Sequence, residues 1–452
     1  MGSAGGRPIT ADFVARRAAQ TSFSAKAQDE SIRAAAARVD QAWASFLPRL
    51  TATARYTRLS PLTNPSLGSS STTGSQLVSP DPPGTPDPRV VAIPVQSFVF
   101  PVVLDNYLLQ AQIVVPISDY FLRINQGYTA ATHARDAARI DAQTARARSA
   151  TDGKVAFYTH IRARGALVVA EQALEDAKAH AVDAKNQEAA ANASRADVLR
   201  AETAVAAAEL QVERAKNLAQ LTEKQVRIAM HVPDAEPFSL GEDLEATLPP
   251  VTGTLADYVA EGQRSRLELK SLDANAEALR AQGKSAKAGY YPQVSGSGEV
   301  TLGNPNQRRF PQTAEWFPTW SLTLQATWSP NDIPTSSAGG NEYEARIATL
   351  EAQKQTVREG IELEVVQAHQ SIRESDVGIA TTKRQLESAT EALRVARELF
   401  RNGRATSTVV TDAETELTRA RLEALNAHVE ARISRAKLEH AVGRDVKYAP
   451  AE

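Results

Sequence analysis

Two stretches of this chain step small and apolar residues by three and four over a span far longer than an ordinary globular helix. Val198, Ala201, Val205, Ala208, Val212, Ala215, Ala219, Thr222, Val226 and Ala229 form the first seam. Val410, Ala413, Leu417, Ala420, Ala424, Ala427, Ala431, Ser434, Leu438 and Ala441 form the second, at a constant offset from the first. A sustained 3-4 spacing means helices packed along a coiled-coil seam, and small residues let the helices approach closely. An outbound arm precedes each seam. Leu167, Ala170, Leu174, Ala177, Ala181 and Ala184 step identically to Ile379, Thr382, Leu386, Ala389, Leu393 and Ala396. The pattern therefore predicts two long helical hairpins, with outbound arms over about 120–190 and 341–401. At about 1.5 Å per residue these arms are on the order of 90–100 Å long, where a globular helix averages about a dozen residues. Such helices are built to cross a distance.

The repetition is wider than the seams. Ala11-Asp12-Phe13-Val14-Ala15 returns as Ala256-Asp257-Tyr258-Val259-Ala260, and Leu47-Pro48-Arg49 as Tyr291-Pro292-Gln293. Val115-Pro116 returns as Ser329-Pro330, and Arg200-Ala201-Glu202-Thr203 as Asp412-Ala413-Glu414-Thr415. Each copy reads helix, strand, loop, strand, hairpin. The chain divides into an N-terminal extension over 1–9, a first repeat over 10–230, a connector over 231–253, a second repeat over 254–443 and a tail over 444–452. The first repeat opens with a helix over 10–46, then strands over 48–59 and 106–117 around a loop over 60–105, then the hairpin over 120–230. That loop is dense in Pro, Ser, Thr and Gly over 60–96. The second repeat has a helix over 254–289, strands over 292–302 and 316–329 around a loop over 303–315, and the hairpin over 341–443.

The four strands alternate. Leu50, Ala52, Ala54 and Tyr56 share one face, as do Tyr107, Leu109, Ala111, Ile113 and Val115. Val294, Gly296, Gly298, Val300 and Leu302 oppose Gln293, Ser295, Ser297, Glu299 and Thr301; Trp320, Leu322, Leu324, Ala326 and Trp328 oppose Ser321, Thr323, Gln325 and Thr327. Segments like these have two readings: a half-solvated antiparallel sheet, or barrel strands with lipid on one side and water on the other. Trp316, Trp320 and Trp328 bracket one strand as interfacial aromatics would, and Tyr56 and Tyr107 lie on the apolar face of two others. Four strands cannot close a membrane barrel, which takes about eight or more. One chain must pool its strands with others; two copies would give eight and three would give twelve.

The totals narrow the function classes. The chain has 452 residues, a formal net charge of −2 and no cysteine. It has no basic footprint for nucleic acid and no disulfide or thiolate metal site. No run of about 18 apolar residues occurs, so no transmembrane helix is expected. Met1-Gly2-Ser3-Ala4-Gly5-Gly6 lacks an apolar signal core and reads as a start grafted onto a mature sequence. His133, His160, His180, His231, His369, His428 and His440 show no metal-ligand spacing and read as solvated. No phosphate-binding glycine loop, nucleophile elbow or paired-carboxylate motif stands out, so neither an enzyme, a cofactor nor a metal site is expected.

The duplicated unit resembles the TolC-like outer membrane efflux protein family. The residues that carry the resemblance are the junctions Leu47-Pro48 and Tyr291-Pro292 and the turns Asn192-Ala193-Ser194-Arg195-Ala196-Asp197-Val198-Leu199-Arg200-Ala201-Glu202 and Gly403-Arg404-Ala405-Thr406-Ser407-Thr408-Val409-Val410-Thr411-Asp412-Ala413. The resemblance implies a mixed α and β membrane protein, each chain giving four transmembrane strands to a trimeric twelve-stranded barrel continued by a coiled-coil periplasmic tunnel. It also implies a homotrimer in outer-membrane lipid, docked to a periplasmic adaptor with an inner-membrane transporter beneath. The function would be passive exit of substrates in efflux or type I secretion. A soluble coiled-coil scaffold is the alternative; it explains the hairpins but not the strands.

The resemblance also assigns the hairpin tips. It implies a pore constriction at Asp197 and Asp412, with Val409 and Phe400 beside them. Each aspartate also suits an ordinary first helical turn, where the helix dipole favours it. Phe400 stands where some members have a tyrosine bonded across the gate, and Val409 where some are acidic, so an apolar constriction beside the Asp412 ring is expected. Adaptor docking is expected at Asn192, Ser194, Arg195, Arg200, Gly403, Arg404, Thr406 and Ser407. The arginines among them could equally pair with the aspartates or stay solvated.

Overall fold

The computed structural model describes residues 7–61, 75–78, 82, 86, 91–94, 102–233 and 238–448. In chain order these form β1 (Arg7–Ile9), α1 (Ala11–Thr21), α2 (Phe23–Ala44), β2 (Arg49–Arg58), β3 (Ser75–Val78), β4 (Val91–Pro94) and β5 (Asp105–Val115). There follow α3 (Ile117–Asp119), a π-helical turn (Tyr120–Ile124), α4 (Asn125–Ala189), α5 (Arg195–Met230), β6 (Phe238–Leu240), α6 (Leu255–Ser265) and α7 (Leu267–Ala286). The chain closes with β7 (Gln293–Asn304), β8 (Phe317–Thr327), α8 (Asp332–Arg401), α9 (Ser407–Ala441) and a 3-10 turn (Arg444–Tyr448). Most of the loop expected over 60–105, residues 234–237 of the connector and the last four residues of the tail lie outside the described residues. Two compact units result, one from residues 1–40, 129–281 and 343–452, the other from 41–128 and 282–342.

The first unit is helical. Its hairpins, α4–α5 and α8–α9, pack through Ala181, Ala184, Val198, Ala201, Ala389, Leu393, Ala396, Val410, Leu417 and Ala420, all of them seam residues. A second cluster gathers Ile9, Val14, Phe157, Ile161, Val226, Met230, Val429 and Ile433; a third gathers Tyr258, Leu269, Ile361, Val365, Ile372, Leu438 and Val442. Each fully buried valine in these clusters contributes about 1.5–3 kcal/mol. Residues 7–9, read above as extension, pair in parallel with β6 of the connector. Ile9 is buried there. The connector is held from α9 by Arg432, whose guanidinium donates to the carbonyls of Asp243 at 2.8 Å and Ala246 at 3.2 Å.

The helices expected over 10–46 and 254–289 are each two helices. Ser22 and Arg266 take near-identical extended conformations, φ −55°, ψ 129° and φ −60°, ψ 127°, and bond back to Ala18 and Gly262. One extended residue redirects the chain without an added loop. Nothing in the alanine-rich pattern marks either position.

The second unit is built on one antiparallel sheet in the order β2-β5-β7-β8. Its register aligns the alternation of every strand: Leu50, Ile113, Gly298 and Leu322 form one row, and Ala52, Ala111, Val300 and Trp320 the next. Ala54, Leu109, Leu302 and Pro318 follow, all on the same face. The opposite face carries Thr51, Gln112, Glu299 and Ser321, then Thr53, Gln110, Thr301 and Thr319. α8 starts at Asp332, nine residues ahead of the expected start at 341. Pro334 falls in its first turn, where the missing donor costs nothing. Within α8 Gly340 admits a neighbour: a Cβ there would run into the Lys287 side chain.

Candidate functional site

Two surfaces of the molecule carry the expected site residues. The first is the apolar sheet face, which is uncovered. Leu50 is 73% exposed and Leu322 79%, and Tyr56, Leu109, Ile113, Val300, Trp320 and Leu324 are exposed with them. A soluble sheet buries such a face against a second layer. Tyr56 and Tyr107 meet with tilted rings at 5.1 Å between centroids, and Tyr107 meets Trp316, again tilted, at 6.0 Å. These three form a ring cluster at the end of the sheet where β7 hands over to β8. Trp328 lies past the opposite end of β8, and Trp320 lies between, opposite Val300. β2 and β8 are the two edges of the sheet.

The second surface is the pair of hairpin turns. Both close with the same two bonds. Asn192 N–H donates to the Gln187 carbonyl (2.8 Å) and Ala191 N–H to that of Glu188 (2.9 Å); Arg404 N–H donates to Leu399 (2.8 Å) and Gly403 N–H to Phe400 (2.9 Å). The turning residue is left-handed in each, Ala191 at φ 58° and Gly403 at φ 68°, so the residue that closes a helix this way is glycine in one turn only. The starts of the returning helices also differ. Ser194 and Asp197 form a reciprocal capping box on α5, whereas Thr406 makes no side-chain cap on α9. The Ser194 hydroxyl and amide both donate to Asp197, which holds its carboxyl below the usual range.

The structure separates the expected tip residues by exposure. Asn192, Ser194, Arg195, Arg200, Gly403, Arg404, Thr406, Val409 and Asp412 are exposed and Asp197 is half-buried. Arg195 pairs with Glu188 at 3.5 Å, and Arg200 with Asp197 at 3.5 Å. Two expected site residues are interior. Phe400, 4% exposed, packs in the interhelical cluster. Ser407 is fully buried at the first turn of α9. Phe400 lies four residues past the seam residue Ala396 and Ser407 three before Val410, so the same 3-4 packing that forms the hairpins draws both inward.

Their common partner is His180. Its Nε2 lies 2.9 Å from Ser407 Oγ, and its ring meets Phe400 edge-on at 5.2 Å. The reading of all histidines as solvated is therefore corrected: His180 and His160 are buried. His160 Nδ1 lies 3.1 Å from Thr222 Oγ1. Burial holds both imidazoles below their ordinary pKa, His160 at about 4. His180 directly precedes the seam residue Ala181, which is the signal that could have placed it inside. Sequence reading also missed an ion network on the same helices. Arg397 bridges Asp176 (3.1 Å) and Glu414 (2.9 Å), and Arg421 reaches Asp176 at 3.3 Å. Burial pushes the Glu414 carboxyl up, against the pull of Arg397. No group of metal-ligating side chains occurs among the described residues.

Residues 261–444 match the family described as outer membrane efflux protein. No curated protein matches the sequence. Among solved structures the chain is similar to CusC, described for conformational changes accompanying folding and transmembrane channel formation, at TM-score 0.78 and 12% identity over 98% of this chain and 95% of that one. It is similar to the outer membrane protein VceC of Vibrio cholerae, at TM-score 0.72 and 18% identity over 96% of each chain. A third similar structure is the open state of the Neisseria gonorrhoeae MtrE outer membrane channel, at TM-score 0.73 and 17% identity over 96% of this chain and 88% of that one. In sequence over residues 261–444, and in fold over nearly its whole length, the chain is thus similar to the TolC-like outer membrane efflux proteins.

Proposed function

We propose that this chain is one of three staves of an outer-membrane exit duct that reaches into the periplasm. The observation that carries the reading is the sheet: rows of exposed apolar side chains on one face, polar rows on the other, and two edges unpaired among the described residues. Lipid is the partner that suits the apolar face, since its large side chains are exposed and alternate with polar ones as in membrane-barrel strands. The eleven residues of β8 span about 37 Å at 3.4 Å each. A tilt of about 40° brings this to roughly 28 Å, near the height of an outer-membrane barrel's apolar band. Three copies pair β2 with a neighbour's β8 and close twelve strands.

A lateral neighbour also accounts for α5. Exposed Leu199, Leu210, Leu221 and Ile228 fall within roughly 40° of one another around that helix, at about 100° per residue. In the assembled duct the exposed tip residues Asn192, Ser194, Arg195, Arg200, Gly403, Arg404 and Thr406 meet a periplasmic adaptor. Asp197, Asp412 and Val409 line the constriction, where threefold repetition of the carboxylates attracts cations and repels anions. An inner-membrane transporter supplies the energy, and the duct conducts passively.

The test is reconstitution of the full chain into planar bilayers, with chemical cross-linking in detergent. The expected result is a trimer with discrete conductance. A protein that stays monodisperse without detergent and forms no channel would instead be the scaffold. At the tip, Asp412→Ala and Val409→Ala should each change single-channel conductance. If neither does, the constriction lies elsewhere.

A further inference from the structure

The connection between β7 and β8 folds back across the polar face of the sheet instead of leaving it. Asn306, only 6% exposed, is the clasp. Its Nδ2 donates to the Phe317 carbonyl at 2.7 Å and to the Thr319 hydroxyl at 3.3 Å, and its Oδ1 accepts the Arg308 amide at 2.9 Å. Arg308 then donates from Nη1 to the Trp320 carbonyl at 2.9 Å. Farther along, Arg309 pairs with Glu315 at 2.9 Å and covers the Phe317 ring at 5.3 Å. Every polar atom of the Asn306 amide is thereby bonded to backbone or to a β8 hydroxyl, so the turn has a fixed place on the strands.

Beneath the turn is a cavity of about 490 Å³ whose lining includes Arg55, Asn106, Gln110, Glu299, Arg308 and Thr319. Its charges are unequal. Arg308 is bonded to a neutral carbonyl, and Arg55 has no polar partner among the described residues. Among the described residues Glu299 accepts only from the Thr301 hydroxyl two positions on, at 2.8 Å. Arg309, Arg58 and Asp105 are spent in pairs of their own. The cavity thus holds one cation in excess, at the end of the sheet remote from the strand–helix junctions.

We propose that this turn forms an outer selectivity filter of the duct, with Arg308 and Arg55 as the residues that favour anions there. The proposal rests on the duct reading above. Three copies around one axis bring three folded-in turns into the lumen and multiply the excess positive charge. Low-dielectric walls focus that field and raise the local concentration of anions. The filter has the opposite sign to the aspartates of the hairpin tips, so it acts on a different class of solute from the inner constriction.

The test uses the full chain in phosphatidylcholine bilayers under a potassium chloride gradient, with the reversal potential giving the ratio of chloride to potassium permeability. Arg308→Gln keeps a donor for the Trp320 carbonyl and so leaves the turn in place. Combined with Arg55→Gln it should lower the chloride-to-potassium ratio on the order of threefold at nearly unchanged conductance, as expected of a screened few-charge field. Asn306→Ala should raise conductance and weaken the selectivity together, because the turn is freed. Conducting variants with the wild-type permeability ratio would overturn the filter and leave the duct intact. Failure of the wild-type chain itself to conduct would overturn the duct reading instead.

Discussion

Arg200 on α5 donates from Nη1 to the hydroxyl of Thr408 on α9 at 2.9 Å. The same guanidinium stands 3.5 Å from Asp197, so one exposed side chain joins the two hairpin tips and the capping box beside it. Exposed contacts of this kind are worth about 0–1 kcal/mol. Arg200→Ala should accordingly leave the melting temperature nearly unchanged while speeding amide hydrogen exchange in both turns, over 190–200 and 402–412. Faster exchange in the first turn alone would mean that the tips are not coupled through this residue.

His180 and Ser407 make a heavier contact because both are buried. Ser407→Ala leaves an imidazole nitrogen without its partner in the interior, which costs about 1–3 kcal/mol. The change should lower the denaturation midpoint, and a second substitution, His180→Phe, should recover part of the loss by removing the stranded polar atom. Additive losses in the double variant would argue against a direct contact.

Acid should loosen the helical unit through His160. The unfolded imidazole takes its proton near pH 6.5 and the folded one near 4. Between those values the unfolded chain binds more protons, so stability falls as pH falls through this window. Over the whole window the loss is up to about 3 kcal/mol, at about 1.4 kcal/mol per unit. Glu223 opposes the shift while Arg164 and Arg227 add to it. Denaturation midpoints measured from pH 7 to 4 should show the decline, and His160→Gln should flatten it. An equal slope in both proteins would assign the acid sensitivity to other groups.

The two turning residues should respond with opposite signs. Gly403→Ala imposes a side chain at φ 68°, and Ala191→Gly relieves one at φ 58°. The expected changes are about 1 kcal/mol of destabilisation and about 1 kcal/mol of stabilisation, the second reduced by the added freedom of the unfolded chain. Equilibrium denaturation of the two variants checks this directly, and matching signs would sink it.

On the sheet, Leu322→Arg should cost about 2–4 kcal/mol in a lipid environment, whereas Thr323→Arg on the opposite face should be tolerated. The yield of folded trimer after refolding into detergent micelles separates the two. Equal yields would remove the assignment of lipid to the Leu322 face.

The long features were legible in sequence and the short ones were not. A seam repeated at constant spacing over many turns leaves one solution, so Val198, Ala201, Val410 and Ala420 are placed inside α5 and α9 by spacing alone. The alternation that put Leu50 and Leu322 on one face likewise needed only period two. The breaks at Ser22 and Arg266 were invisible because one extended residue leaves no compositional mark. At the tips, position along the chain was clear but facing was not. His180 and Ser407 are polar residues beside a seam, and only the approach of a second hairpin decides that they are enclosed.

The sheet begins with β2 and ends with β8, and neither edge pairs with another strand among the described residues. In a closed ring of three copies each edge is completed by a different molecule, so a defect in one edge strand cannot be confined to the molecule that bears it. Suppose half the chains in a cell carried an edge that cannot pair. Random assembly would then leave only about one ring in eight free of the defect. Mutations along β2 or β8 should therefore behave as dominant alleles. Mutations of equal severity in the helical clusters, which cost a chain its own fold before it meets another, should be recessive.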